Sequence, residues 1–90
     1  MKYIVIVQPI AETHFKRIEK SGDKASLRKL KQILNELELH PTTGIGNPEQ
    51  LKFNLSGFWS RRINKKDRLV YKILEEPEKL VVIISAIGHY

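Results

Sequence analysis

The sequence contains no cysteine and no long apolar run. The absence of cysteine in this 90-residue chain excludes disulfides, thiol nucleophiles and thiolate metal sites. The longest apolar run, near residues 80–87, is far shorter than the roughly 20 residues that a membrane-spanning helix needs. The first residues, MKYIVIVQ, continue into proline and charge where a signal peptide would have small residues for cleavage. We therefore expect a cytoplasmic protein without a membrane segment.

Several common catalytic motifs are also missing. The stretch GIGNPE lacks the lysine of a phosphate-binding loop and does not lead from a strand into a helix. Ser56 and Ser60 do not lie in the context of a nucleophile elbow. No ligand spacing with acidic residues is found for the three histidines, His14, His40 and His89. The sequence therefore predicts no metal site and no cofactor.

The composition is that of one small globular domain. Hydrophobic residues make up 41% of the chain and charged residues 29%, which is typical of a folded protein. A chain of this length buries only about 60 to 65% of the surface that it exposes when unfolded. We expect residues 1–90 to form a single domain around a single core.

The net charge of +6 is concentrated in one segment. Residues 49–72 hold seven cations and two acids, whereas the rest of the chain holds nine cations and eight acids. A local excess of this size indicates an anionic partner more than a requirement of the fold.

The first half of the chain predicts one strand and two helices. Residues 2–8 are rich in β-branched residues and predict a strand, and Pro9 suits the first turn of a helix that ends near Gly22. Asp23 can cap a second helix. Its apolar stripe has a spacing of three and four residues and consists of Leu27, Leu30, Leu34 and Leu37.

The second half predicts an irregular loop and three strands. Residues 41–50, PTTGIGNPEQ, hold prolines and glycines that indicate the loop. FWSRRIN, RLVYKIL and LVVIISAI then alternate with short turns. The predicted fold is α+β, in the order β-α-α-β-β-β, with a helical hairpin packed on one face of a mainly antiparallel four-stranded sheet.

A sheet covered on one face leaves the other face free to bind RNA. The predicted basic positions are Lys52, Arg61, Arg62, Lys65 and Lys66. One guanidinium group can bind two phosphate oxygens at once. The aromatic residues Phe58, Trp59 and Tyr71 are candidates for stacking on unpaired bases.

The turn between the two basic strands decides which arginine shares a face with Arg68. Arg61 and Arg62 are adjacent, so in a regular strand they point to opposite faces. A two-residue turn would put Arg68 with Arg61, and a three-residue turn would put it with Arg62. The sequence leaves both alternatives open.

Four residues remain as candidates for acid–base chemistry: Glu49, Arg68, His89 and Tyr90. RNA can be cut by its own 2′-hydroxyl once a base removes the proton. A protein that promotes this reaction supplies a base, an acid for the leaving 5′-oxygen and cations for the developing charge.

Residues 44–90 resemble the YoeB/Txe branch of the RelE-like toxins of bacterial toxin–antitoxin systems. The similarity lies in NPEQLKFNLSGFWSRRI, in DRLVY and in the terminal HY. It implies the RelE-like fold and a metal-independent endoribonuclease that cuts messenger RNA in the ribosomal A site and so inhibits translation. It also implies a homodimer and a cognate antitoxin of the Phd/YefM kind with an acidic segment.

The resemblance also implies residue roles. Glu49 would be the general base, His89 the general acid, and Arg68 would stabilise the pentavalent phosphorane. Tyr90 would orient the nucleotide, and Lys52 and Arg62 would lie near the phosphate. The alternative from the residues is a noncatalytic basic module of the same fold that binds nucleic acid.

Overall fold

The computed structural model describes residues 2–52 and 57–88. In chain order, its elements are β1 (Ile4–Val7), α1 (Pro9–Lys20), α2 (Lys24–Leu37), β2 (Glu49–Gln50), β3 (Phe58–Arg62), β4 (Arg68–Leu74) and β5 (Leu80–Ser85).

The two helices begin where the sequence predicts. Pro9 occupies the first turn of α1, where its missing N–H costs no intrahelical bond. Asp23 caps α2 by accepting a hydrogen bond from the Ser26 N–H at 3.1 Å, and hydrogen bonds from Ser26 lower the pKa of its carboxyl group. Because folding lowers the pKa of Asp23, the ionised cap stabilises the protein at neutral pH, and this stabilisation is lost as the pH falls through the pKa of the folded state.

Among the described residues, neither helix has the length and the apolar composition that a membrane-spanning helix needs.

The sheet has five strands in the order β1-β5-β4-β3-β2. β1 runs parallel to β5, and the other neighbours are antiparallel. The α+β class and the mainly antiparallel sheet are confirmed. The sheet contains one strand more than the four predicted, because the end of the proline- and glycine-rich loop pairs with β3 through Glu49 and Gln50.

The core lies between the helices and one face of the sheet. The leucine stripe of α2 contributes Leu30 and Leu37, both almost fully buried, and the sheet contributes alternate residues such as Val81 and Ile83. The intervening positions lie on the opposite face, which we call the open face. On it, Ile4 remains 54% exposed.

A three-residue loop joins β3 and β4. The Ile63 N–H donates to the carbonyl of Asp67 at 2.9 Å, which leaves residues 64–66 as the loop. The Asn64 carboxamide oxygen accepts from the N–H of Lys66 at 2.9 Å and of Asp67 at 2.8 Å and fixes the turn. The three-residue alternative is therefore the correct one.

Candidate active site

Glu49 and Arg68 meet at one end of the open face. The Glu49 carboxylate accepts a hydrogen bond from Arg68 Nη1 at 3.0 Å. The Glu49 side chain is 54% exposed and that of Arg68 21% exposed. The structure thus brings together two of the four predicted catalytic residues, in a position that solvent and a ligand can reach.

Strand pairing carries Glu49 to this position. Glu49 lies opposite Ser60 in the β2–β3 ladder, and Arg62 lies opposite Arg68 in the β3–β4 ladder. Ser60 and Arg62 are two residues apart on β3 and therefore share a face. Glu49, Arg62 and Arg68 consequently project from the same side of the sheet.

The loop before Glu49 packs directly on β3. The Arg62 N–H donates to the Gly46 carbonyl at 2.6 Å. Gly46 has φ +83°, and a Cβ there would lie 2.9 Å from the Arg62 carbonyl oxygen. Only glycine combines that backbone conformation with so close an approach, so Gly46 sets the path of the chain into β2.

Arg61 is not part of the RNA-binding face, and its prediction as an RNA contact was wrong. Its side chain is completely buried on the helix side of the sheet. Nη1 donates to Glu36 Oε1 at 2.5 Å and to the Ile45 carbonyl at 3.3 Å. Nη2 donates to the carbonyls of His40 and Thr43. The guanidinium group therefore ties residues 40–45 to α2 and β3 and cannot reach a phosphate.

Tyr71 completes this buried network and is not available for stacking on a base. Its hydroxyl accepts from Arg61 Nε at 3.2 Å and donates to the Pro41 carbonyl at 2.6 Å. Burial raises the pKa of Tyr71, so the hydroxyl keeps the proton that it donates. Tyr71 is fully buried, which contradicts its interpretation as an RNA-stacking residue.

The other two aromatic candidates differ in their surroundings. Trp59 is partly buried and packs against the core. Phe58 is half-buried on the open face, where the Lys72 ammonium group lies 5.6 Å from the centre of its ring. Phe58 is therefore the aromatic candidate of β3 that shares a face with Arg62.

The remaining predicted RNA contacts are accessible. Lys52, Arg62, Lys65 and Lys66 are all exposed. Arg62 is the cross-strand neighbour of Arg68, and Lys65 and Lys66 lie in the adjoining loop. We call these four residues together with Arg68 the basic surface.

The C-terminal segment reaches the same end of the sheet. The backbone N–H of Arg68 donates to the Gly88 carbonyl at 2.9 Å, so the chain passes Arg68 immediately before His89. His89 and Tyr90 themselves lie outside the described residues, and their predicted roles stay predictions.

Two residues that the sequence does not mark as functional contact this segment. Asp67 Oδ1 accepts from the Gly88 N–H at 3.1 Å. His14 Nδ1 accepts from the N–H of Ala86 at 3.0 Å and of Ile87 at 3.3 Å, and the His14 side chain is half-buried at the margin of the core. No local sequence pattern predicts the contacts of Asp67 and His14 with this segment, because they join residues that are distant in the sequence.

The geometry suits proton transfer next to a stabilised anion. An exposed carboxylate can accept a proton, and the guanidinium group beside it can bind the oxygens of a phosphate. Within residues 2–52 and 57–88, no three histidine or acidic side chains are grouped so that they could hold a metal ion.

Two comparisons of sequence point to the same family. A family model described as the YoeB-like toxin of bacterial type II toxin–antitoxin systems matches residues 12–90. A curated relative, the toxin YoeB of Synechocystis, is 45% identical over 69 residues, which cover 77% of each chain.

Solved structures agree over the full length. The YoeB dimer from Staphylococcus aureus superposes with a TM-score of 0.82 at 33% identity and full coverage of both chains. The YoeB–YefM complex from the same organism gives a TM-score of 0.78 at 32% identity, again with full coverage.

Proposed function

The chain belongs to the YoeB-like toxins of bacterial type II toxin–antitoxin systems, and we propose that it is an endoribonuclease that cuts messenger RNA in the ribosomal A site. The observation that carries the proposal is the hydrogen-bonded ion pair of Glu49 and Arg68 at 3.0 Å. Next to it, the backbone N–H of Arg68 donates a hydrogen bond to the carbonyl of Gly88, the residue before His89.

The proposed reaction needs no external nucleophile. Glu49 removes the proton of the 2′-hydroxyl, and the 2′-oxygen attacks the adjacent phosphorus. The bond from phosphorus to the 5′-oxygen breaks, and His89 donates a proton to that oxygen. The products are a 2′,3′-cyclic phosphate and a 5′-hydroxyl.

Arg68 has a different task, which is electrostatic. Among the described residues, Glu49 is its one side-chain partner, and that bond engages Nη1. A guanidinium group has five N–H donors, so donors remain for the non-bridging oxygens of the phosphorane. Charge that develops there in the transition state is stabilised more than the charge of the ground state. Tyr90 is proposed to orient the nucleotide.

The proposed partners follow from the charge and from the relatives. The basic surface suits messenger RNA and the ribosome, and we propose that the protein acts in the cytoplasm. We also propose that an antitoxin of the Phd/YefM kind covers this surface with an acidic segment, because a relative of 32% identity has been solved as a complex with YefM. A homodimer is proposed on the same footing, from the solved dimer of a relative.

The decisive experiment is to map cleavage of a defined message in a purified translation system with and without ribosomes. We expect cuts at a fixed position in the A-site codon only when ribosomes are present. Chemical analysis of the new ends should find a 2′,3′-cyclic phosphate upstream and a 5′-hydroxyl downstream. Binding of RNA without new ends would favour the noncatalytic basic module. A 3′-hydroxyl on the upstream fragment and a 5′-phosphate on the downstream fragment would refute attack by the 2′-hydroxyl.

A substitution on the basic surface should weaken binding by a similar factor for RNAs of different sequence. Arg62→Ala removes one exposed cation next to Arg68. The affinity falls as salt rises, and each cation that binds a phosphate adds about 0.7 to the magnitude of the slope of log affinity against log salt for single strands. We expect Arg62→Ala to bind single-stranded RNA more weakly and to have a less steep slope by about that amount, measured by titration at several salt concentrations.

The matched control for that substitution is Arg28→Ala. Arg28 is exposed on α2, so the net charge falls equally but at a different place. An equal loss of affinity in both variants would mean that RNA responds to the total charge, and the basic surface would lose its assignment.

A further inference from the structure

Two side chains hold the segment that follows β5. This strand ends at Ser85, and the next three backbone N–H groups all donate to side chains. Those of residues 86 and 87 donate to His14 Nδ1, and that of Gly88 donates to Asp67 Oδ1. We call residues 86–88 the exit segment, because they lead the chain out of the sheet to His89.

Both acceptors are themselves fixed in place. Asp67 is 8% exposed, and its second oxygen accepts from Asn64 Nδ2 at 3.1 Å. The same Asn64 nitrogen donates to Ser26 Oγ at 2.9 Å, which connects Asp67 to α2. His14 lies between Ala11 and Ile18 on the buried stripe of α1. Acceptors held in this way orient the exit segment instead of following it.

The direction in which the chain leaves Gly88 is also specified. Gly88 has φ +98°, and a Cβ at this position would meet nothing within 4 Å. Space does not require glycine here, so the conformation of the backbone does. The hydrogen bond from the Gly88 N–H to Asp67 Oδ1 therefore holds the backbone one residue before His89.

We propose that His14 and Asp67 are positioning residues that aim the exit segment so that His89 meets the scissile phosphate beside Arg68. The inference rests on the proposed function, in which His89 protonates the leaving 5′-oxygen. A misplacement of about 1 Å can reduce a rate about 100-fold. Loss of either acceptor should therefore slow proton donation without changing the base, Glu49, or the basic surface.

The variants come in pairs that remove or keep an acceptor. His14→Phe keeps a ring but removes Nδ1, whereas His14→Asn places an amide oxygen near the position of Nδ1. Asp67→Ala removes both oxygens, whereas Asp67→Asn keeps one. We expect the maximal single-turnover cleavage rate on ribosomes to fall about 10- to 100-fold in the two removing variants. His14→Asn and Asp67→Asn, which keep an acceptor, should retain most of the parent rate. The toxin concentration that gives the half-maximal rate should be unchanged in all four variants.

A sulfur-substituted message separates positioning of the acid from general damage. In this substrate, sulfur replaces the bridging 5′-oxygen at the cleaved linkage. The phosphorus–sulfur bond breaks and a thiolate leaves, which does not need a proton from the enzyme. The defects of His14→Phe, Asp67→Ala and His89→Gln should therefore shrink to within a few-fold of the parent protein. Glu49→Gln should stay slow on both messages, because the base is still required.

Each outcome decides between distinct conclusions. Folded His14→Phe and Asp67→Ala proteins that cut the ordinary message at the parent rate overturn the inference, and so does a defect of equal size on both messages. Full activity of His89→Gln overturns the proposed role of His89 itself, which is a separate failure. Glu12→Gln, an exposed change on α1, serves as the control for substitution on that helix.

If the removing variants melt far below the parent protein, Gly88→Ala replaces them. It deletes no side-chain acceptor and no core contact, but it disfavours the positive φ at the exit. A slow rate on the ordinary message that recovers with the sulfur substrate supports the inference. A parent-like rate on the ordinary message overturns it.

Discussion

Glu49→Gln is expected to lower the rate of message cleavage by about 100- to 10,000-fold, the usual contribution of a general base. Glutamine keeps an oxygen that can accept the hydrogen bond from Arg68, which measures 3.0 Å in the parent protein. It cannot take up the proton of the 2′-hydroxyl. The variant therefore separates proton abstraction from the position of Arg68, and single-turnover cleavage on ribosomes measures the effect.

The fold should survive this substitution. The ion pair is exposed on the carboxylate side, with 54% of the Glu49 side chain accessible, and pairs of this kind contribute only about 0 to 1 kcal/mol. We expect the melting temperature to fall by no more than about 8 °C. Glu78→Gln makes the same chemical change at an exposed position in the β4–β5 turn and should leave the rate unchanged.

Growth provides a second measurement of the same prediction. Overexpression of the parent toxin should stop growth, and Glu49→Gln should restore it at equal protein levels. A folded Glu49→Gln protein that still cuts at the parent rate would falsify the assignment of Glu49 as the base.

Arg61→Leu is expected to destabilise the protein by about 3 to 5 kcal/mol, the usual cost of removing one partner from a buried ion pair. Leucine leaves the Glu36 carboxylate without the hydrogen bond that it accepts from Arg61 Nη1 at 2.5 Å. It also leaves the carbonyls of His40, Thr43 and Ile45 without this donor. A domain of this size has only about 5 to 15 kcal/mol of stability in total, so the variant should be close to unfolding at growth temperature.

Thermal and urea unfolding measure this effect. A loss of 1 kcal/mol lowers the melting temperature by about 4 to 8 °C in domains of this length, so a fall of more than about 12 °C is expected. Arg61→Lys should also be destabilised, because an ammonium group has three donors and cannot reach the same set of acceptors as a planar fork.

The neighbouring residue supplies the control. Arg62→Leu removes the same charge and the same type of side chain at an exposed position on the open face. Exposed substitutions usually change stability by no more than about 0.5 kcal/mol. The two adjacent arginines should thus have different phenotypes, with stability reduced by substitution of Arg61 and RNA affinity reduced by substitution of Arg62. Equal melting temperatures for the two variants would contradict the structural role of Arg61.

This pair also explains why the sequence could not assign Arg61 correctly. Adjacent strand residues point to opposite faces, and that much is visible in the sequence. Which face is covered depends on the helices and on loop 40–46, which supply carbonyl and carboxylate acceptors from distant positions. A run of arginines typical of an RNA-binding surface therefore contains one that stabilises the fold.

The short strand β2 shows a similar limit. Residues 41–50 have the prolines and glycines of an irregular loop, and no hydrophobic alternation marks Glu49 and Gln50 as a strand. They pair with β3 because Gly46 packs against Arg62 and directs the chain along the edge of the sheet. The base candidate was identifiable from its motif, whereas its orientation toward Arg68 was not.

Elements with local signals could be predicted without the structure. The spacing of Leu30 and Leu37, the cap at Asp23 and the turn near residues 64–66 each act within a few residues of the chain, and they predict the second helix and the β3–β4 hairpin. The burial of Arg61, the alignment of Glu49 with Arg68 and the contacts of His14 and Asp67 with the exit segment emerge only from the folded chain. Those interactions join residues 10 to 73 positions apart, and they form only after the helices, the loop and the sheet have been packed together.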